Sequence, residues 1–357
     1  MSAPKWLPGF AYQLSTQAPE RVQLEFYEVY PPLALVRVNW QPLMSLYSHV
    51  PFSLELWRED EDSPIRILYG VPSRAALKPL EQAYPGALIR PLEGPAEPGF
   101  IRQLPEAPVF FSAELAHALP FTFFEPDYGA FLNRLAAAMT GPCWIQIVWA
   151  YWDWAWLAEE AAIRLSAWIQ SVEEGSITIA PDVSALSSAM LGHVRLPQIR
   201  VEREESPQKA STLYQIGRKI AQEYFAKAQS TPILLHIRGL LVPGYAYPGF
   251  DAAFSSVRVH WDMLVDYAVR DPRALRWMRA RALPDVSEQL KWHAEGGFLC
   301  EWGEGRELVA GLCLTPEELP VFIGLPTDPS LPVKWTRKPA IPHAASALEE
   351  EGLSLWS

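Results

Sequence analysis

Two groups of side chains in this sequence could do chemistry: histidines and carboxylates able to move protons or hold metal, and arginines and tryptophans able to grip a partner. The seven histidines, His49, His117, His193, His236, His260, His293 and His343, lie far apart, and no His-x-x-x-His pair sits on a helix as a zinc site would require. His236 lies inside the apolar run Leu234-Leu-His-Ile-Arg238, where a hydrogen-bonded core histidine is the simpler reading. His260 and Asp262 flank Trp261, but residues two apart on a helix do not face each other. The acid-rich stretches Glu59–Asp62 and Glu202–Glu205 sit beside arginine in loop-like sequence, as solvated turns do. They keep a metal-dependent nuclease open as an alternative, because carboxylates distant in sequence can converge on an ion in space. No Gly-x-Ser-x-Gly elbow and no Gly-Lys pair occurs, and the one Gly-x-Gly, Gly303-Glu-Gly305, lacks a Rossmann context. No catalytic residue, metal ligand or cofactor is assigned on these grounds.

The binding candidates stand out more. Arg270, Arg273, Arg276 and Arg279 recur every three residues, with Arg281 close behind. If Pro272 opens a helix through Leu283, Arg273, Arg276 and Arg279 share a slowly drifting face suited to phosphates or an acidic protein surface. The plainer reading is a solvated face paired with Asp271 and Asp285, each pair worth roughly 0–1 kcal/mol. Between residues 144 and 156 come Trp144, Trp149, Trp152, Trp154 and Trp156. Trp144 is expected in the core. Trp152, Trp154 and Trp156 either fill the core or form an aromatic platform for a partner protein or a base. In the C-terminal stretch, Lys334, Arg337 and Lys338 sit among prolines and complete the set of binding candidates.

Composition bounds the elements that carry these residues. The chain has 357 residues, 49% hydrophobic and 20% charged, which is a folded globular balance with room for two or three domains. A net charge of −11 argues against a protein whose whole surface grips nucleic acid and leaves room for a local basic patch. Cys143, Cys300 and Cys313 are too few and scattered for a disulfide framework or a zinc site. No apolar run reaches transmembrane length and the start lacks a signal-peptide core, so the cytoplasm is the expected location. Two asparagines beside 34 prolines fit a thermophile or, equally, a GC-rich genome.

Residues 20–92 read as strand (Val22–Val29), helix (Gln41–His49), strands (Phe52–Trp57 and Ile65–Val71), helix (from Ser73 as N-cap to Ala83) and strand (Ala87–Arg90). That order is the split-βαβ, or ferredoxin-like, arrangement. After a connector at 92–108, a second α+β body shows a strand at Pro120–Phe124, a helix at Asp127–Met139, a strand at Cys143–Tyr151 and a helix at Leu157–Val172. An exposed insertion near 173–208 follows. Then come a helix at Lys209–Ala228, a strand at Ile233–Leu241, helices at Asp251–Val269 and Pro272–Leu283, and a strand at Gly297–Trp302. The fold expected is α+β: tandem ferredoxin-like modules at 1–95 and 96–310, and a C-terminal helix and extended strap at 311–357.

The C-terminal stretch reads Leu314-Thr-Pro-Glu-Glu-Leu-Pro-Val-Phe-Ile-Gly-Leu-Pro326, then Val333-Lys-Trp-Thr-Arg-Lys-Pro-Ala-Ile-Pro342. Thr315 is a candidate capping hydroxyl, Pro316 suits the first helical position, Glu317 and Glu318 face the dipole, and Leu319, Phe322 and Ile323 share a face that closes at Gly324. This stretch resembles the segment that joins the N-terminal, non-motor domain of conjugative type IV secretion-type (HerA-type) ATPases to their RecA-like motor. There a Ser/Thr-x-Glu-Glu-Leu…Leu-Pro helix precedes a proline-rich strap. Phe26–Pro32 and Tyr84–Arg90 add looser likeness. The resemblance implies a non-catalytic domain that flanks a hexameric DNA or protein translocase, helps to assemble its ring and contacts a membrane-embedded channel. ATP hydrolysis does not carry over without a phosphate loop, and the strap is expected to close the chain rather than lead into a motor. The expectation is an accessory, interaction subunit of a DNA-transfer or DNA-processing system. Its partner would be a separately encoded motor ATPase, with contact at the inner membrane peripheral. The alternatives are a metal-dependent nuclease and a nucleic-acid-binding module that uses the arginines and tryptophans.

Overall fold

The computed structural model describes residues 24–33, 37–94, 98–103, 109–115, 121–151, 153–173, 207–259, 275–279 and 312–336. In the first part of the chain, alternating apolar and polar residues produce β1 (Glu25–Tyr30), β2 (Phe52–Arg58), β3 (Arg66–Val71) and β4 (Leu88–Pro91). The rest adds β5 (Val109–Leu115), β6 (Cys143–Tyr151), β7 (Ile233–Leu241), β8 (Leu275–Arg279) and β9 (Leu312–Leu314). All belong to one mixed α+β architecture whose antiparallel sheet runs β4-β1-β3-β2-β6-β7-β5-β8, with β9 pairing the far end of β7. Counted within each half from its outer edge inward, the order is the same: fourth, first, third, second. The halves are joined edge to edge by β2 and β6, from Phe52 opposite Trp149 to Arg58 opposite Cys143.

The helices are α1 (Lys78–Ala83), α2 (Ala130–Ala138), α3 (Ala155–Glu173), α4 (Pro207–Ala228), α5 (Phe250–Ser255) and α6 (Leu319–Phe322). The Gln41–Ser45 3₁₀ turn packs on α1 in the first half, and α2 packs on α5 in the second. α6 bridges the two pairs, touching both the 3₁₀ turn and α2. α3 and α4 pack along each other as a helical hairpin inserted between β6 and β7. The helix-covered face of the sheet carries the main core, including Leu54, Leu56, Ile67, Ile145, Ile147, Trp149 and Ile237. On the opposite face a smaller cluster joins Trp57, Leu68, Trp144 and Leu240, with Phe100 and Ile101 packed against it. β6 and β7 are therefore buried on both faces, which is why their sequences read as nearly continuous apolar runs. Among the described residues no helix is long and apolar enough to cross a membrane.

Several expected elements take another form. The helix expected at Gln41–His49 is a single 3₁₀ turn. The helix after Ser73 begins as a 3₁₀ turn (Arg74–Leu77), and the Ser73 hydroxyl makes no capping bond. Prolines at 42 and 79 fall in the first turn of the 3₁₀ segment and of α1, where a missing N–H is tolerated, so they mark where each begins rather than where it ends. The strand expected at Pro120–Phe124 lies earlier, as β5; Phe124 contributes only an isolated bridge to Val259. The helix expected at Asp251–Val269 ends at Ser255, and the chain is bridged as extended backbone by Val259. The basic helix expected over Pro272–Leu283 is contradicted most clearly, because Leu275–Arg279 forms strand β8 against β5. Pairing with a partner strand overrides a helical spacing that carries no intrinsic energy of its own. The expected insertion at 173–208 and the strand at Gly297–Trp302 lie mostly or wholly outside the described residues.

Gly239 shows how closely β7 fits its neighbours. A Cβ there would run into the Phe111 ring and lie 2.9 Å from the Trp144 carbonyl oxygen. Gly239→Ala is expected to cost about 1–3 kcal/mol through overpacking. Thermal unfolding would show this as a melting temperature lowered by several degrees, and an unchanged melt would contradict the packing described.

Candidate interaction surfaces

The resembling C-terminal stretch is part of the fold as far as Thr336. Glu318 is its anchor. The Lys227 ammonium at the end of α4 is fully buried and lies 3.0 Å from both oxygens of the Glu318 carboxylate, which is itself 4% exposed. Lys227 also donates to the Thr122 carbonyl at 2.6 Å and sits over the Phe123 and Phe124 rings, about 5 Å from each centroid. The carboxylate accepts two backbone N–H groups as well, from Phe124 at 2.7 Å and from Thr315 at 2.8 Å. The second is the reverse half of a capping box. The capping role expected of the Thr315 hydroxyl falls instead to Glu318, and the buried Thr315 Oγ1 has no hydrogen-bond partner among the described residues. Leu319, Phe322 and Ile323 are all buried, as their shared face requires.

Beyond α6 the strap crosses to the first half of the sheet. Gly324 has φ of +133°, and a Cβ there would meet the Tyr84 hydroxyl at 2.5 Å, so only glycine fits. The Tyr69 hydroxyl donates to the Gly324 carbonyl at 2.8 Å and accepts its N–H at 3.1 Å. The Tyr84 hydroxyl accepts the Leu325 N–H at 2.9 Å. Burial holds both phenols above their ordinary range, so both keep their protons. Asn133 and Thr327 exchange two hydrogen bonds, at 2.8 and 3.0 Å. Val333 then bridges Ile65 and Thr336 bridges Pro32, both in parallel sense. Trp335 is half-buried and packs against the core, while Lys334 points outward and is exposed.

The tryptophans divide. Trp144 is buried, on the sheet face opposite the helices, and its indole N–H donates to Glu55 at 3.0 Å. Trp149 is buried on the helix face, donating to the Leu46 carbonyl. β6 ends at Tyr151, so no strand face continues through 152–156. Trp154 is a core residue, fully buried, donating to the Ile233 carbonyl at 2.9 Å and stacked on Phe121. Trp156 is 38% exposed on α3, where Ile163 is exposed as well. Trp152 lies outside the described residues, so of the supposed platform the structure leaves Trp156 at the surface and takes Trp154 away.

The arginine series divides too. Arg276 and Arg279 belong to strand β8, not to a helix. They do not share a helical face. Arg276 is opposite Glu114 of β5 in the register. Arg270, Arg273, Arg337 and Lys338 lie outside the described residues.

Two clusters were not legible in the sequence. The first is a polar row across the centre of the sheet. Fully buried Glu55 accepts from Ser53 at 2.9 Å, from Gln146 at 3.0 Å and from Trp144, and Gln146 in turn accepts from the Arg238 Nε–H. It exists only because β2, β6 and β7 are adjacent; its only sequence trace is polar residues interrupting three apolar strands. The second lies on the same face toward β4. Arg66 forks onto Glu28 at 2.8 and 3.0 Å, and its guanidinium lies over Trp57. Arg90 lies over the Tyr30 ring. Burial alone would raise the Glu28 carboxyl, but hydrogen bonds from Arg66 and Tyr30 and the charges of Arg66 and Lys334 outweigh it and hold it below its ordinary range. Among the described residues no group of three or more His, Cys, Asp or Glu is placed to hold a metal ion.

Two measurements check these assignments. Glu318→Gln leaves a buried ammonium without its counter-charge and is expected to cost about 3–5 kcal/mol in urea unfolding, whereas replacing the pair by Lys227→Met with Glu318→Leu should cost markedly less. Equal losses would mean that the charge pairing is not what fastens the segment. For Glu28 the folded pKa lies below the unfolded one, so its stabilisation is complete above the unfolded value, roughly 4.3, and is lost as pH falls through the folded value. The stability difference between the native chain and Glu28→Gln should therefore hold at neutral pH and shrink on acidification below that point. No protein-family model matches the chain, and the searches of curated proteins and of solved structures return no match.

Proposed function

We propose that this chain is an interaction subunit of a DNA-transfer or DNA-processing translocase system, built from two ferredoxin-like split-βαβ units and working beside a motor ATPase. The tandem reading is supported by the repeated fourth-first-third-second strand order and by helices packed on one face of the sheet in each half. In the second half the α3–α4 hairpin interrupts what would otherwise be the turn between the second and third strands.

The observation that carries the functional reading is the treatment of the resembling stretch. The glutamate of the Thr-Pro-Glu-Glu-Leu run, the glycine after it and the residues around Lys334 are the ones that fasten the C-terminal segment onto both halves. Among the described residues, a motif resembling a domain-to-motor connector thus has a defined route along the chain's own first half, with Thr336 bridged to Pro32. Rigid anchoring of that kind suits a part that hands position or force to a neighbour.

The experiment is co-purification of the full chain with the motor ATPase encoded by an adjacent reading frame, followed by ATPase assay of the motor with and without it. A stable complex and altered turnover are expected. Absence of a complex together with unchanged turnover would overturn the proposal.

A further inference from the structure

The first half joins β2 to β3 through residues 59–65 alone, whereas the second half carries the α3–α4 hairpin between β6 and β7. Among the described residues no other helix or strand packs along either of these two helices. The sheet is complete without them, so the hairpin adds surface rather than closing the fold. On α3 the side chains divide by face. Ala158, Ala161 and Ala162 are buried, while Trp156 is 38% and Ile163 53% exposed. These two make up half of the four large apolar side chains exposed among the described residues, the others being Leu33 and Tyr245. Seven residues apart, they lie about 20° from each other around the helix and roughly 10 Å apart along it. A single exposed apolar residue is ordinary; two on one face, two turns apart, are the anchor spacing by which one helix holds another.

The charges of that face select the partner. Glu159 and Glu160 hold the places three and four residues from Trp156 and from Ile163, Asp153 comes just before the helix, and no cation of α3 holds an equivalent place. Asp153 and Glu159 are both exposed and form no ion pair among the described residues. A second copy would bring the same acids against them, on a chain of net charge −11. Nucleic acid and an anionic membrane surface are repelled for the same reason. A helix with one apolar side flanked by lysine or arginine covers Trp156 and Ile163 and meets the two carboxylates at once.

We infer that the outer face of α3, with Trp156 and Ile163 as its anchors and Asp153 and Glu159 as its charges, is a docking surface for a basic amphipathic helix of another protein. The inference stands apart from the translocase reading and does not need a motor as the partner.

The test is fluorescence anisotropy of the full chain with a labelled peptide of about 18 residues, leucine and lysine in amphipathic helical order, beside the same peptide with glutamate in place of lysine. The basic peptide is expected to bind and the acidic one not to. Trp156→Ser and Ile163→Ser, both at exposed positions, should each weaken binding about tenfold, as the loss of an anchor does. Glu159→Lys should weaken it severalfold. Leu33→Ser, which removes an exposed apolar side chain of the first half, should leave it unchanged. Circular dichroism would confirm that the variants fold. No binding of the basic peptide, equal binding of both peptides, or binding indifferent to the Trp156 and Ile163 substitutions would each overturn the assignment. So would light scattering that shows a dimer of the chain broken by Trp156→Ser, because a second copy would then occupy the face.

Discussion

The antiparallel pairing of β2 with β6 is the interaction on which the rest of the molecule depends. Each half alone would end in an exposed edge strand, β2 in one and β6 in the other, each with a row of unpaired N–H and C=O groups. Joining them removes both edges and turns two four-stranded sheets into one. The register is fixed from both faces. Leu54 meets Ile147 and Leu56 meets Ile145 on the helix side, while Trp57 meets Trp144 and Glu55 meets Gln146 on the other. A slip of one residue would turn the leucines out of the core and bring Glu55 into it.

Glu55 makes that register costly to leave. A carboxylate with no exposed surface is tolerable only if hydrogen-bonded, and its donors come from its own strand and from β6. Arg238 of β7 extends the network to a third strand through Gln146. The Lys227–Glu318 pair plays a comparable part on the helix side, tying α4, the 122–124 segment and the C-terminal stretch at one point. Buried polar groups of this kind select an arrangement more than they add stability, since their desolvation offsets much of their attraction.

Legibility followed from how local each signal was. Strands β1 to β4, β6 and β7 could be read because their periodicity or unbroken apolar run is a property of a few neighbouring residues. The turn to Gly324 and the burial of Leu319, Phe322 and Ile323 were readable for the same reason. The strand over Leu275–Arg279 was not, because arginines at every third position imitate a helical face and the partner that makes them a strand lies far back in the chain. Trp154 was undecidable locally: its burial depends on Phe121 and Ile233, which only the folded chain brings near. Thr315 looked like a cap by residue type, yet the neighbouring Glu318 reaches the backbone first.

By itself the sequence determined the α+β class, most strand positions and the helix-and-strap character of the C-terminal stretch, since each is written in short-range pattern. Only the tertiary structure decided that the two halves share one sheet and that the strap lies on the chain's own first half. It also decided which aromatics and cations meet: Arg90 lies over the Tyr30 ring because β4 pairs with β1. The physical reason is that side-chain periodicity is set along the strand, whereas register, burial and charge neighbours are set across it, by residues the local sequence does not contain.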